Sequence, residues 1–221
     1  MRRILLLSAL LAANTTAFSR ALEDFERQLA RTPPVSTGFV EYRFSHLLKK
    51  PLRSSGTLEY RADGILTRSV AAPYREVTEV TGDEVRITRA GKPTRTFSLE
   101  RAPQLRVVLG SFRALLEGHL TPLTRDFDVQ LVEQPPRWTL TLTPRDARLA
   151  KQLAHIAVFG AGERPQCLEA IEPDGDGALT LLQDAAALQE KPPARVEVEQ
   201  ACHSGGASPA HSLARPQATR Q

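Results

Sequence analysis

The chain has 221 residues, 41% hydrophobic, 24% charged and 5% aromatic, enough for one substantial core and little more. Its 29 Lys and Arg stand against 25 Asp and Glu for a net charge of +4, with the two signs alternating along the chain. No basic run with interleaved aromatics occurs, which argues against nucleic-acid binding. Neither Cys167 nor Cys202 has a partner at the spacing a structural zinc site needs.

The N-terminus sets the expected compartment. Arg2 and Arg3 precede an apolar run from Ile4 to Ala13, and Ala17-Phe18-Ser19 supplies small residues at the −3 and −1 positions of a cleavage site. Residues 1–19 therefore read as a signal peptide cut after Ser19. The run is too short for a bilayer core of about 30 Å, and no later stretch reaches the ~18–20 apolar residues of a membrane span. No Cys follows it to carry a lipid anchor. In an oxidising compartment Cys167 and Cys202 either pair across the intervening chain or stay as two separate thiols.

Leu22, Phe25 and Leu29 share one face of a helix over Ala21–Arg31, which Pro33-Pro34 stops. From Gly38 the period becomes two: Val40, Tyr42 and Phe44 oppose Glu41, Arg43 and Ser45, and Leu58, Tyr60 and Ala62 oppose Thr57, Glu59 and Arg61. Further strands are predicted at 66–72, 75–80, 85–89 and 94–99, punctuated by Asp63-Gly64, Gly82-Asp83 and Gly91-Lys92-Pro93. A second helix carries Leu105, Val108, Leu109, Phe112, Leu115 and Leu116 as a broad stripe that ends near Gly118. Strands resume at 127–131, 138–143, 154–159, 166–172 and 178–182, with a possible third helix at 146–153. About eleven strands result. The segment 203–221, rich in Ser, Ala, Gly and Pro, reads as a disordered tail.

A long antiparallel sheet with one apolar face must cover that face, and a curved sheet under a helical lid does so. The expected fold is mainly β with α, an incomplete antiparallel barrel. Its interior is either a concave apolar cavity or a filled core. Leu66, Arg68 and Val70 share a face, so an inward Arg68 has to find partners for its charge; an outward or rim position is the alternative.

No nucleophile elbow, zincin, phosphate-loop or dinucleotide motif occurs. His46, His119, His155, His203 and His211 are scattered, and Cys167 with His119 or His155 makes a poor catalytic dyad. Asp174-Gly175-Asp176-Gly177 reads as a tight turn, because the twelfth position of a calcium loop falls on alanine. Neither enzyme activity, a metal nor a cofactor is expected.

The order of features resembles the LolA family of periplasmic lipoprotein carriers over roughly residues 21–183. The resemblance is carried by Phe39 and Phe44, Ser55-Gly56-x-Leu58, a strand ending at Pro73, and Trp-x-Leu-x-Leu-x-Pro at Trp138–Pro144. Thr67 and Ser69 replace the family's aromatics around Arg68, and Gly82-Asp83-Glu84-Val85-Arg86-Ile87 replaces another aromatic strand, which marks a divergent branch.

The resemblance implies a LolA/LolB-like half-barrel over residues 20–202. It implies a monomeric periplasmic carrier of a lipidated protein or lipid-like cargo, loaded by an inner-membrane donor complex and unloaded to an outer-membrane acceptor. It places Arg68 near the family's lid-holding arginine. The cavity residues expected are Tyr42, Phe44, Leu58, Tyr60, Leu66, Val70, Phe97, Leu99 and Trp138. The competing expectation is a non-catalytic envelope scaffold or sensor of the same fold with a filled core, binding a protein partner.

Overall fold

A computed structural model describes residues 20–101, 103–182 and 194–203; the expected signal peptide 1–19 and tail from 204 onward lie outside the described residues. Helix α1 spans residues 20–29. It is followed by β1 (Val35–Phe44), β2 (Leu52–Tyr60), β3 (Leu66–Ala72), β4 (Glu76–Thr81), β5 (Glu84–Arg89) and β6 (Arg95–Ser98). Helix α2 (Pro103–Glu117) then leads to β7 (Phe127–Gln134), β8 (Arg137–Pro144), β9 (His155–Ala161), β10 (Arg164–Ile171) and β11 (Gly177–Leu182), and α3 (Arg195–His203) closes the described chain.

All the strands join one 11-stranded antiparallel sheet in the order β6-β5-β4-β3-β2-β1-β11-β10-β9-β8-β7. Two meanders meet where β1 pairs with β11, from Phe39 opposite Leu182 to Phe44 opposite Gly177. The edges β6 and β7 do not pair with each other, so the barrel stays open. At the Gly82-Asp83 turn Thr81 pairs with Glu84, and Gly82 takes φ +55°, the left-handed backbone that a two-residue hairpin favours.

One face of the sheet holds the main core. Phe39, Val70, Leu140, Leu142, Ile156, Val158, Leu168 and Leu182 pack there with Leu22, Phe25 and Leu29 of α1 and with Ala114 and Leu115 of α2. Of the stripe predicted for α2, Leu115 is buried and Leu109 half-buried; the side chains of Leu105, Val108, Phe112 and Leu116 lie outside the described residues. Gly118, at φ +69°, ends α2 against the backbone of Leu29 and Ala30, where a Cβ would overlap main-chain atoms. That glycine lets the two helices meet.

In place of a third helix near 146–153 there is a 3-10 turn at Leu149–Lys151. Asp146 Oδ1 accepts the N–H groups of Arg148 (3.0 Å) and Leu149 (2.8 Å), drawing the chain into a tight turn that seats Leu149 and Leu153 in the core.

The opposite face carries a smaller core: Val40, Tyr42, Leu179 and Leu181, capped by Val198 and Cys202 of α3. Sequence periodicity misses α3, because Val198 and Cys202 are its only buried side chains among the described residues. The Ala194 N–H donates to Glu197 Oε2 at 3.0 Å, half of a capping box. Cys202 is disulfide-bonded to Cys167 of β10, Cα to Cα 5.3 Å, which resolves the two alternatives for the cysteines. His203, the first residue of the expected tail, is the last of α3.

Candidate functional site

Register sorts the expected cavity residues. Tyr60 lies opposite Leu66, Leu66 opposite Val80, Val80 opposite Val85 and Val85 opposite Phe97, forming one ladder across five strands. Leu58 lies opposite Arg68, Arg68 opposite Thr78 and Thr78 opposite Ile87, forming a second ladder on the same face. Tyr60, Leu66, Val70 and Val85 are buried, whereas Val80 and Ile87 are half-buried and Phe97 is 36% exposed. This half of the sheet is incompletely covered. Leu99 is buried just beyond β6, and Trp138 sits at the other end of the same face, under α1.

Tyr42 and Phe44 do not belong to this group. They sit on the opposite face beneath α3, packed with Leu179, Leu181 and Cys167. The central strand β1 is apolar on both faces, with Phe39 and Val40 both at 0% exposure, so alternation alone does not say which face looks toward α1 and α2.

Arg68 projects onto the helix-covered face and is half-buried. One guanidinium nitrogen lies 3.1 Å from Glu41 Oε1 and 3.3 Å from Ser54 Oγ, and the guanidinium stacks 4.7 Å from the Phe39 ring centroid. Glu41 also accepts from Ser54 Oγ (3.4 Å) and from Thr180 Oγ1 (3.5 Å). The charge is thus satisfied by residues of the sheet itself: among the described residues, Arg68 bonds to Glu41 and Ser54 of the floor. Glu41 is the residue that sequence reasoning missed. Its signal was an acid on the Phe39 face of β1, legible only once the β1–β2–β3 register and the irregularity at Ser55/Gly56 are known.

Helix α2 is tied to this floor at Tyr60. The Arg113 guanidinium lies 5.3 Å from the Tyr60 ring centroid and donates to Glu117 Oε1 at 3.1 Å. Burial, and next the Glu117 carboxylate beside it, push the Tyr60 phenol above its ordinary value. A raised folded value means the protonated phenol supports the fold fully below about pH 10, and that this support is lost as pH rises through the higher folded value. Alkaline ultraviolet titration is expected to show a late phenolate step that disappears in Tyr60→Phe; titration of Tyr60 at its ordinary value would show that α2 does not seal it.

Among the described residues, cavities lie elsewhere on the molecule. One of about 210 Å³ is bordered by Trp138, Thr139, Phe159, Gln166, Cys202 and His203. Another, about 540 Å³, is lined by the β1–β2 loop and by Asp174, Asp176 and Arg195. His46, Asp174 and Asp176 bring possible metal-binding atoms within 4.8 Å of one another there. His46 and Asp176 already bond to each other at 3.0 Å, and Asp176 also accepts from Ser45.

The architecture is thus an open antiparallel sheet with a helix-covered apolar face. Residues 15–205 match the family of outer membrane lipoprotein carrier protein LolA-like proteins, and the chain belongs to that family. No curated protein matches it in sequence.

Among solved structures, a LolA superfamily protein from Nitrosomonas europaea is 10% identical with a TM-score of 0.40, over 75% of this chain and 91% of that one. The GerS lipoprotein complex with the CwlD amidase of Clostridioides difficile matches at 12% identity and a TM-score of 0.40, over 78% and 95%. The MucA/MucB complex of Pseudomonas aeruginosa matches at 14% and 0.39, over 80% of this chain and 60% of that chain's length.

Proposed function

We propose that this protein is an exported, non-catalytic carrier that holds the acyl portion of a lipidated protein or lipid-like cargo between α2 and the β2–β6 half of the sheet. The proposed mature carrier domain is 20–202, released by cleavage of 1–19 and working in the periplasm between an inner-membrane donor and an outer-membrane acceptor. One observation carries the reading: the Tyr60–Leu66–Val80–Val85–Phe97 ladder includes a half-buried Val80 and ends in Phe97, 36% exposed, whereas the β7–β11 half is filled by α1. Acyl chains bind such a surface by removing it from water at roughly 25 cal/mol per Å². Displacing α2 from Tyr60 would widen the site, and transfer would follow from the cargo's different affinities for donor, carrier and acceptor.

Within this reading Arg68 and Glu41 form the polar end of the acyl site, and Arg68→Leu leaves Glu41 without its cation. Lipopeptide uptake and release by Arg68→Leu are expected to change several-fold, about 1 kcal/mol or more for breaking a half-buried pair. Unchanged uptake and release would remove Arg68 from the mechanism.

The deciding experiment is native mass spectrometry of mature protein prepared gently from periplasm, before and after organic extraction. A stoichiometric extractable acyl adduct supports the carrier. A clean apo mass with no uptake of added lipopeptide favours the scaffold alternative, in which the same fold binds a protein partner.

A further inference from the structure

The loop between β1 and β2 has an unusual surface. Leu47 is 82% exposed, Leu52 57% and Leu48 38%, and between them stand the exposed Lys49 and Lys50. Residues 46–53 read His-Leu-Leu-Lys-Lys-Pro-Leu-Arg, with no acid. Singly exposed leucines are ordinary on a protein, but two on this hairpin loop and a third, Leu52, at the first position of β2, with two lysines among them, form an amphipathic tip.

The stem holds this tip in place. The Leu48 N–H donates to the Ser45 carbonyl at 3.0 Å, the Leu47 N–H to Ser45 Oγ at 3.3 Å, and the His46 N–H to Asp176 Oδ1 at 2.8 Å. Ser45 Oγ donates to Asp176 Oδ2 at 2.5 Å. The loop is therefore stapled to the β10–β11 turn, and its leucines are not folded back onto the sheet. The nearby acids are engaged: Asp176 with Ser45 and His46, and Asp174 with the Asp176 N–H at 3.0 Å. Leu48, Lys49 and Lys50 also line the 540 Å³ cavity, together with Arg195.

We propose that this loop is a membrane-docking tip, with Leu47, Leu48 and Leu52 entering the interfacial layer of a bilayer while Lys49 and Lys50 pair with anionic lipid phosphates. The composition favours a bilayer over a protein partner. Protein interfaces concentrate aromatic residues and deplete lysine at their centres, whereas leucine flanked by lysine suits the headgroup boundary. Leu47 and Leu48 stand on the loop and Leu52 at the start of β2, where a fluid surface can take them without a shaped complement. The inference is independent of the cargo site, which lies among other residues.

The test is flotation of the mature chain with phosphatidylcholine vesicles and with vesicles containing phosphatidylglycerol. Binding is expected to the anionic vesicles and to weaken about tenfold or more in high salt. Leu47→Asp combined with Leu52→Asp is expected to abolish it, and Lys49→Gln with Lys50→Gln to remove its preference for phosphatidylglycerol. All four side chains are exposed, so thermal melting of these variants should match the parent.

Absence of flotation, or variants that float like the parent, overturns the proposal. So does a photo-crosslinker at position 47 that captures a periplasmic protein while vesicles stay unbound. An acyl adduct retained by Leu47→Asp would separate failure of the tip from failure of the carrier reading.

Discussion

Trp138→Ala is expected to destabilise the protein by about 3–5 kcal/mol, the range for emptying a large aromatic site in a core. Trp138 is 4% exposed and meets Phe25 of α1 edge to face, with centroids 4.9 Å apart at 77°. Its indole N–H donates to the Gly162 carbonyl at 2.8 Å, and its ring lies over Gly160, where any Cβ would overlap it. The same substitution removes the seat of α1, whose Gln28 also reaches the Gly162 carbonyl, while Arg31 just after the helix reaches that of Glu163. At roughly 2–4 °C per kcal/mol for a chain of this size, melting should fall by on the order of 10 °C. Urea unfolding checks this, and a loss below about 1 kcal/mol would mean that the site collapses around the missing ring. Phe25→Ala in the same background should add less than it does alone, because the pair's coupling, about 0.5–1.5 kcal/mol, is already gone.

Cys202→Ser acts through chain connectivity. The disulfide closes a loop with a sequence separation of 35, and such a cross-link contributes about 2–4 kcal/mol by restricting the unfolded chain. Both sulfurs lie in side chains 1% exposed. The other contacts of α3 include Val198 in the smaller core, Arg195 donating to the Gly175 carbonyl at 2.7 Å, and His203, whose ring lies 4.5 Å from that of Phe159 and 3.4 Å from Glu169 Oε2. Hydrogen exchange is expected to show α3 unprotected in Cys202→Ser while β1, β8 and β9 stay protected. A reductant should shift the unfolding of the parent protein by a similar amount and leave the variant unchanged. If reduction costs the parent nothing, α3 is held by packing alone.

The strands were legible where a period of two survives because one side is better covered than the other, as in β8, where Trp138, Leu140 and Leu142 are buried and the threonines between them are not. The signal failed where both sides are covered. In β1, Phe39 and Val40 are equally buried, so the aromatic pair Tyr42 and Phe44 looked inward by chemistry while register turns it toward α3. Arg68 stood out as a charge within an apolar strand, but its partner Glu41 is two strands away, and that distance is invisible without hairpin registers. Helix α3 gave almost no pattern, since Val196 is 59% exposed and the helix depends on a covalent tie for much of its attachment. The shared face of Leu58, Tyr60, Leu66 and Val70 was readable from the alternation; the facing of the central strand and the Arg68–Glu41 pair were not.

The meeting of the two meanders at β1 and β11 has a consequence for how the chain is made. Emerging N-terminus first, the hairpins from β1 to β6 can zip locally and early, because each joins neighbours in sequence. Phe39 nevertheless waits for Leu182, so the middle strand of the finished sheet keeps a bare apolar edge until nearly the whole described chain has been delivered. An unpaired edge of this kind is an invitation to foreign strands. The time of greatest exposure for this molecule therefore falls during its own delivery, and a truncated product ending before β11 would carry that exposed edge permanently.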